Sequence, residues 1–124
     1  LPNESSISVE VIFLDNAAVV DTLRSAAREL VEGDENVVRV CLFGSLADGT
    51  ATPESDADIL IVVREAEGRF FDRGDEYKTY LSSTGLGIGI ELFVYTETEL
   101  ERMNSAGNPF IKEILATAEV LGER

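Results

Sequence analysis

Three carboxylates and one glycine–serine pair are the residues here whose types and spacing could do chemistry. Asp56 and Asp58 open the apolar run Ile59-Leu60-Ile61-Val62-Val63, and the period of 2 in a strand points both to the same side. Like charges held that close raise a carboxylate pKa unless a cation offsets them. Mg²⁺ suits such a pair, because it takes hard oxygen ligands and keeps waters and substrate phosphates in its shell. In an acidic chain the plain alternative is a solvated strand end. Glu91 sits inside Ile88-Gly89-Ile90-Glu91-Leu92-Phe93-Val94, where an unpaired buried carboxylate costs several kcal/mol, so it needs a site, a partner such as Arg39, or an exposed face. Gly44-Ser45 ends the apolar run Val37 to Phe43. Glycine lets a backbone approach a ligand, and the N–H groups and hydroxyl that follow suit a phosphate; alone, the pair is equally an ordinary strand-to-helix turn.

The elements that must position these residues follow from periodicity. Ser8 to Leu14 reads as an opening strand. Asp15 or Asn16 can then cap a helix whose Val19, Val20, Leu23, Ala26, Ala27, Leu30 and Val31 recur at helical steps up to Gly33. Val37 to Phe43 and Asp56 to Val63 are apolar enough for strands covered on both faces. Arg69 to Leu81 reads as a helix. Gly85 to Gly89 looks like a phosphate loop, yet no helix pattern follows it, so a turn into a strand over Ile88 to Tyr95 is the better reading. Thr96-Glu97-Thr98-Glu99 forms a capping-box signature for a short helix through Met103. Asn108-Pro109 starts another, with Phe110, Ile111, Ile114, Leu115 and Ala118 facing the core. The expectation is one α/β (α+β) domain over residues 1–124, with a mixed sheet of about four strands flanked by helices.

Composition narrows the chemistry. There is no histidine, which removes the usual neutral-pH base and every Ser-His or Cys-His pair. The one cysteine, Cys41, lies in Val40-Cys41-Leu42-Phe43 and reads as a buried, inert thiol. Against 24 acidic residues stand 10 basic ones, a formal charge of −14 that repels nucleic-acid phosphates and favours a basic or neutral partner. No apolar run is long enough to span a membrane and no signal-peptide pattern opens the chain, so a soluble, cytoplasmic protein is expected.

Taken together, Leu42-Phe43-Gly44-Ser45, then Asp56-Ala57-Asp58-Ile59-Leu60, then Ile90-Glu91-Leu92 resemble the signature of the DNA polymerase beta-type nucleotidyltransferase superfamily. Within it the chain is similar to the minimal nucleotidyltransferases from about Val37 to Leu121, including Thr96 to Leu100 and Asn108-Pro109-Phe110. The resemblance implies that Asp56, Asp58 and Glu91 ligate two Mg²⁺ ions, with Glu91 also orienting or deprotonating a hydroxyl. It implies that Gly44 and Ser45 hold the β- and γ-phosphates of a nucleoside triphosphate, and that AMP passes from ATP to a hydroxyl acceptor. It further implies a HEPN-domain partner, as in antitoxin-like members of the branch, or a homodimer. Relatives commonly carry arginines after the Gly-Ser pair, where this chain has Leu46 and Asp48. The missing phosphate contact falls to Arg64, Arg69, Arg73 or Lys78, or activity is weak. A non-catalytic binding or antitoxin subunit with the same fold is the second reading. An aspartate-nucleophile phosphohydrolase is the third, disfavoured because Leu60 stands where such enzymes have threonine and the Asp pair opens its strand.

Overall fold

A stretch without glycine or proline runs from Glu4 to Glu32, and it forms one helix, α1 (Glu4–Gly33). The structure is a computed structural model that describes the backbone of residues 4–16 and the whole of residues 17–52, 55–67, 74–85 and 87–124. The strand expected over Ser8 to Leu14 is therefore helical. Its β-branched residues carry only a weak bias against helix, and Asp15 and Asn16 do not interrupt a segment that has no breaker. From residue 17 onward α1 buries Val19, Leu23, Ala26, Ala27 and Val31, spaced for one face.

The remaining elements are β1 (Val37–Phe43), α2 (Ser45–Asp48), β2 (Ala57–Val63), α3 (Asp75–Ser82), β3 (Ile90–Thr96), α4 (Glu97–Ser105), α5 (Pro109–Thr117) and β4 (Glu119–Glu123). The sheet order is β3-β2-β1-β4. Strand β1 is antiparallel to both β2 and β4, while β2 and β3 run parallel, so the sheet is mixed, with four strands. The number of strands is as expected, but the fourth is β4 rather than an opening strand. Its five residues hold a glycine and two adjacent apolar residues, too little alternation to stand out. Residues 69–73 of the helix expected from Arg69 lie outside the described residues, and α3 begins at Asp75.

Alternation along β2 divides the core. Ile59, Ile61 and Val63 meet Leu23, Ala27 and Val31 of α1, Val40 and Leu42 of β1, and Leu81 of α3. Leu60 and Val62 meet Cys41 and Phe43 of β1, Leu100 of α4, and Ile111 and Ile114 of α5. Helices thus cover both faces, which is why β2 is apolar at every position from Ile59 to Val63. Helix α4 starts in a capping box in which Thr96 Oγ1 accepts from Glu99 N and Glu99 Oε1 accepts from Thr96 N. Helix α5 starts at an Asn108 cap with Pro109 following. Of the side chains expected to face the core from α5, Phe110 and Leu115 are exposed instead, at 42% and 45%. The helix is buried along a narrow stripe, and two residues outside it are apolar without being covered.

Candidate active site

Register brings the carboxylates together. Asp58 pairs across the sheet with Glu91 of β3 on one side and Phe43 of β1 on the other, and laddered neighbours share a face about 4.8 Å apart. That face is the one covered by α4 and α5. Asp56 precedes the strand by one residue, and Gly89 O accepts the Ala57 N–H at 2.9 Å, tying the two strand entries side by side. Asp56 and Glu91 are exposed and Asp58 is half-buried. Of the settings open to Glu91 in the sequence, it takes an exposed one, at the second residue of β3, where its side chain reaches water. Nor does it use Arg39, which pairs with Glu123.

The electrostatics follow from this crowding. Burial pushes the Asp58 carboxyl up to about 6, helped by a hydrogen bond with Glu91 and by the negative charges of Glu91 and Asp56. Two glycines make room for these oxygens. Gly44 has φ 74 and ψ −154, a conformation essentially confined to glycine, and a Cβ there would stand 2.1 Å from Asp58 Oδ2. A Cβ on Gly89 would stand 2.4 Å from Asp56 Oδ1. Gly89 was passed over in the sequence as part of a glycine-rich turn; its position one residue before a strand that carries an acid was the available signal.

The Gly44-Ser45 turn opens α2. Ala47 N and Asp48 N turn back to Gly44 O at 3.1 Å each, while the first N–H groups of a helix have no acceptor within it. Ser45 is half-buried beside Asp58's notch. Asp48 is drawn into the next turn, where its Oδ1 accepts from Thr50 N at 2.9 Å and Thr50 Oγ1 at 2.5 Å, holding its carboxyl below the usual range. Of the cations proposed to replace the missing arginines, the two among the described residues lie elsewhere. Arg64 follows the far end of β2, about 20 Å along the strand from Asp58. Lys78 lies on α3, on the opposite face. Arg69 and Arg73 lie outside the described residues.

A divalent cation fits this donor set in chemistry: all the donors are carboxylate oxygens, and the crowding that raises the Asp58 carboxyl is of the kind a cation offsets. Among the described residues no group of three or more acidic or cysteine side chains stands arranged to hold an ion, so the three carboxylates would have to draw closer to share one.

Comparison with known proteins bears on the family and the fold. The family model described as a nucleotidyltransferase domain matches residues 20–118. No curated protein matches the chain. A candidate nucleotidyltransferase from Sulfolobus solfataricus shares the fold with a TM-score of 0.60 and 22% identity, over 90% of this chain and 86% of that one. A toxin-antitoxin structure solved with AMP-PNP does so with a TM-score of 0.58 and 18% identity, over 85% of this chain and 73% of that one. With its paired aspartates, its register-matched glutamate and its Gly-Ser turn spanned by that match, the chain belongs to the nucleotidyltransferase domain family, of the polymerase beta type.

Proposed function

We propose that the chain transfers AMP from ATP to a hydroxyl acceptor on a HEPN-type partner protein. The observation that carries the reading is the pairing of Asp58 with Glu91 across the ladder, with Asp56 beside them and Gly44 pressed against Asp58. Asp56, Asp58 and Glu91 would hold two Mg²⁺ ions, which when bound stabilise the attacking and leaving oxygens of an in-line displacement. Ser45 and the N–H groups after Gly44 would hold the β- and γ-phosphates, a role that needs the missing Cβ at Gly44. Glu91, at the exposed lip, would orient the acceptor hydroxyl and take up its proton. The new bond joins that oxygen to the α-phosphorus, the α–β bridge breaks, and pyrophosphate leaves. The toxin-antitoxin neighbour, solved with an ATP analogue, supports a nucleotide and a protein partner. A reaction that draws on Mg²⁺ and ATP would belong in the cytoplasm. No helix among the described residues is long and apolar enough to cross a membrane.

Asp58→Asn tests the reading. It removes a ligand and a like-charge clash together, so Mg²⁺-dependent transfer is expected to disappear while the melting temperature at neutral pH stays level or rises. Unfolding of the variant, or transfer at the wild-type rate, contradicts it. A non-catalytic docking subunit becomes the better reading if wild-type chain neutralises its partner without consuming ATP.

A further inference from the structure

Between α2 and α5 runs a cleft of about 250 Å³ whose lining includes Phe43, Gly44, Asp48, Phe110, Glu113 and Thr117. It shares Gly44 with the turn assigned to the triphosphate. Its apolar side is aromatic: Phe110 packs edge-on to Phe43 with centroids 6.0 Å apart and against Phe93 at 5.4 Å, and still leaves 42% of its surface open. Its rim carries two exposed carboxylates, Asp48 and Glu113, and among the described residues its lining has no lysine or arginine. The lysine next to Glu113 in the chain, Lys112, is turned away to Asn104 Oδ1 at 3.3 Å. A polyphosphate on the Gly44-Ser45 turn would face this acidic cleft with Asp48 in front of it, and no cation among the described lining residues to meet its charge.

We propose that the α2–α5 cleft receives an arginine side chain from a basic protein partner, which supplies in trans the phosphate-facing cation that the turn lacks. A flat guanidinium stacks on the open face of Phe110, forks onto the rim carboxylates of Asp48 and Glu113, and reaches past Gly44 toward phosphate oxygens. Asp48 is suited to this, since its two bonds from Thr50 fix the carboxylate in place and keep it ionised. Lysine matches the site less well, because an ammonium neither stacks nor forks. A second copy of this chain is a poor donor: at −14 each, two copies repel. The proposal rests on the triphosphate reading above and adds to it the source of the missing charge.

Calorimetric titration of the full chain with Mg²⁺-ATP, alone and with tetra-arginine or tetra-lysine peptide, tests it, beside amide chemical shifts on peptide addition. Tetra-arginine is expected to tighten ATP binding about fivefold or more, and tetra-lysine clearly less. The shifts should centre on Phe110, Glu113 and Thr117, and Glu113→Gln and Phe110→Ala should each remove most of the gain. Equal gains from the two peptides, dispersed shifts, or a gain that survives in both variants overturns the proposal and leaves the triphosphate assignment standing. An ATP affinity that climbs with protein concentration without peptide makes the occupant a second copy and overturns the partner. Asp48→Arg, which places a cation at the exposed end of the turn in cis, separates the two failures: if neither wild type nor Asp48→Arg binds Mg²⁺-ATP, the triphosphate assignment falls and this proposal with it.

Discussion

At Asp58 a carboxyl is held at about 6 against an ordinary 3.8, so the folded chain binds its proton more tightly than the unfolded chain does. For an acid shifted upward the stabilising contribution is full below about 4 and is lost as pH rises through about 6. Because Asp58 is only half-buried, solvent screens the effect and roughly 1 kcal/mol is its upper scale. Melts of wild type and Asp58→Asn between pH 4 and 7.5 without divalent metal should therefore diverge as pH rises, with the asparagine variant gaining; parallel curves would rule out the shift. The Asp-x-Asp spacing was enough to see this pair in the sequence, because a period of 2 is a local property. Whether Glu91 is buried was not, since its strand is apolar on both sides of it and only the end of the sheet decides exposure. Gly89 was hidden for a related reason: the carboxylate it makes room for belongs to the neighbouring strand.

Among the elements, α4 has the most local definition. Its start is a reciprocal pair of bonds between Thr96 and Glu99, and it carries Leu100 into the core beneath Val62. Thr96→Ala removes the hydroxyl that satisfies Glu99 N and should cost about 1 kcal/mol in denaturant unfolding, with Thr96→Ser recovering most of it. An unchanged midpoint would mean that packing of Leu100 alone holds the helix. Capping signatures and buried strands were legible because a few adjacent residues specify them. The two misplaced elements lacked that. Residues 8–14 offered an apolar run that fits either structure, and the helix continues through it for want of a breaker. Strand β4 depends on β1, some 80 residues earlier, with Arg39 and Arg24 reaching across to Glu123 and Glu119. Pairing over that distance leaves almost no trace in five residues.

For the whole molecule, charge is the dominant feature. Ten basic residues face 24 acidic ones, and among the described residues there are two ion pairs, both at the β4 edge. Repulsion then outweighs attraction, so raising NaCl from about 20 mM to about 500 mM should increase the melting temperature by a few degrees, as screening shortens to a few ångströms. A fall would mean that the β4 pairs matter more than the net charge. The sign of the field could be read from composition, but the meeting of Asp48 and Glu113 at the α2–α5 cleft could not, because they come to line one cleft only when the chain folds. The same layering has a practical consequence through Cys41, the single cysteine, held 5% exposed in the middle of β1 between β2 and β4. Burial pushes its thiol up to about 11, so in the closed fold it is both out of reach and unreactive. The rate at which an alkylating reagent modifies it is then a clock for transient opening of the central strand, and any ligand that slows that clock has bound the closed form.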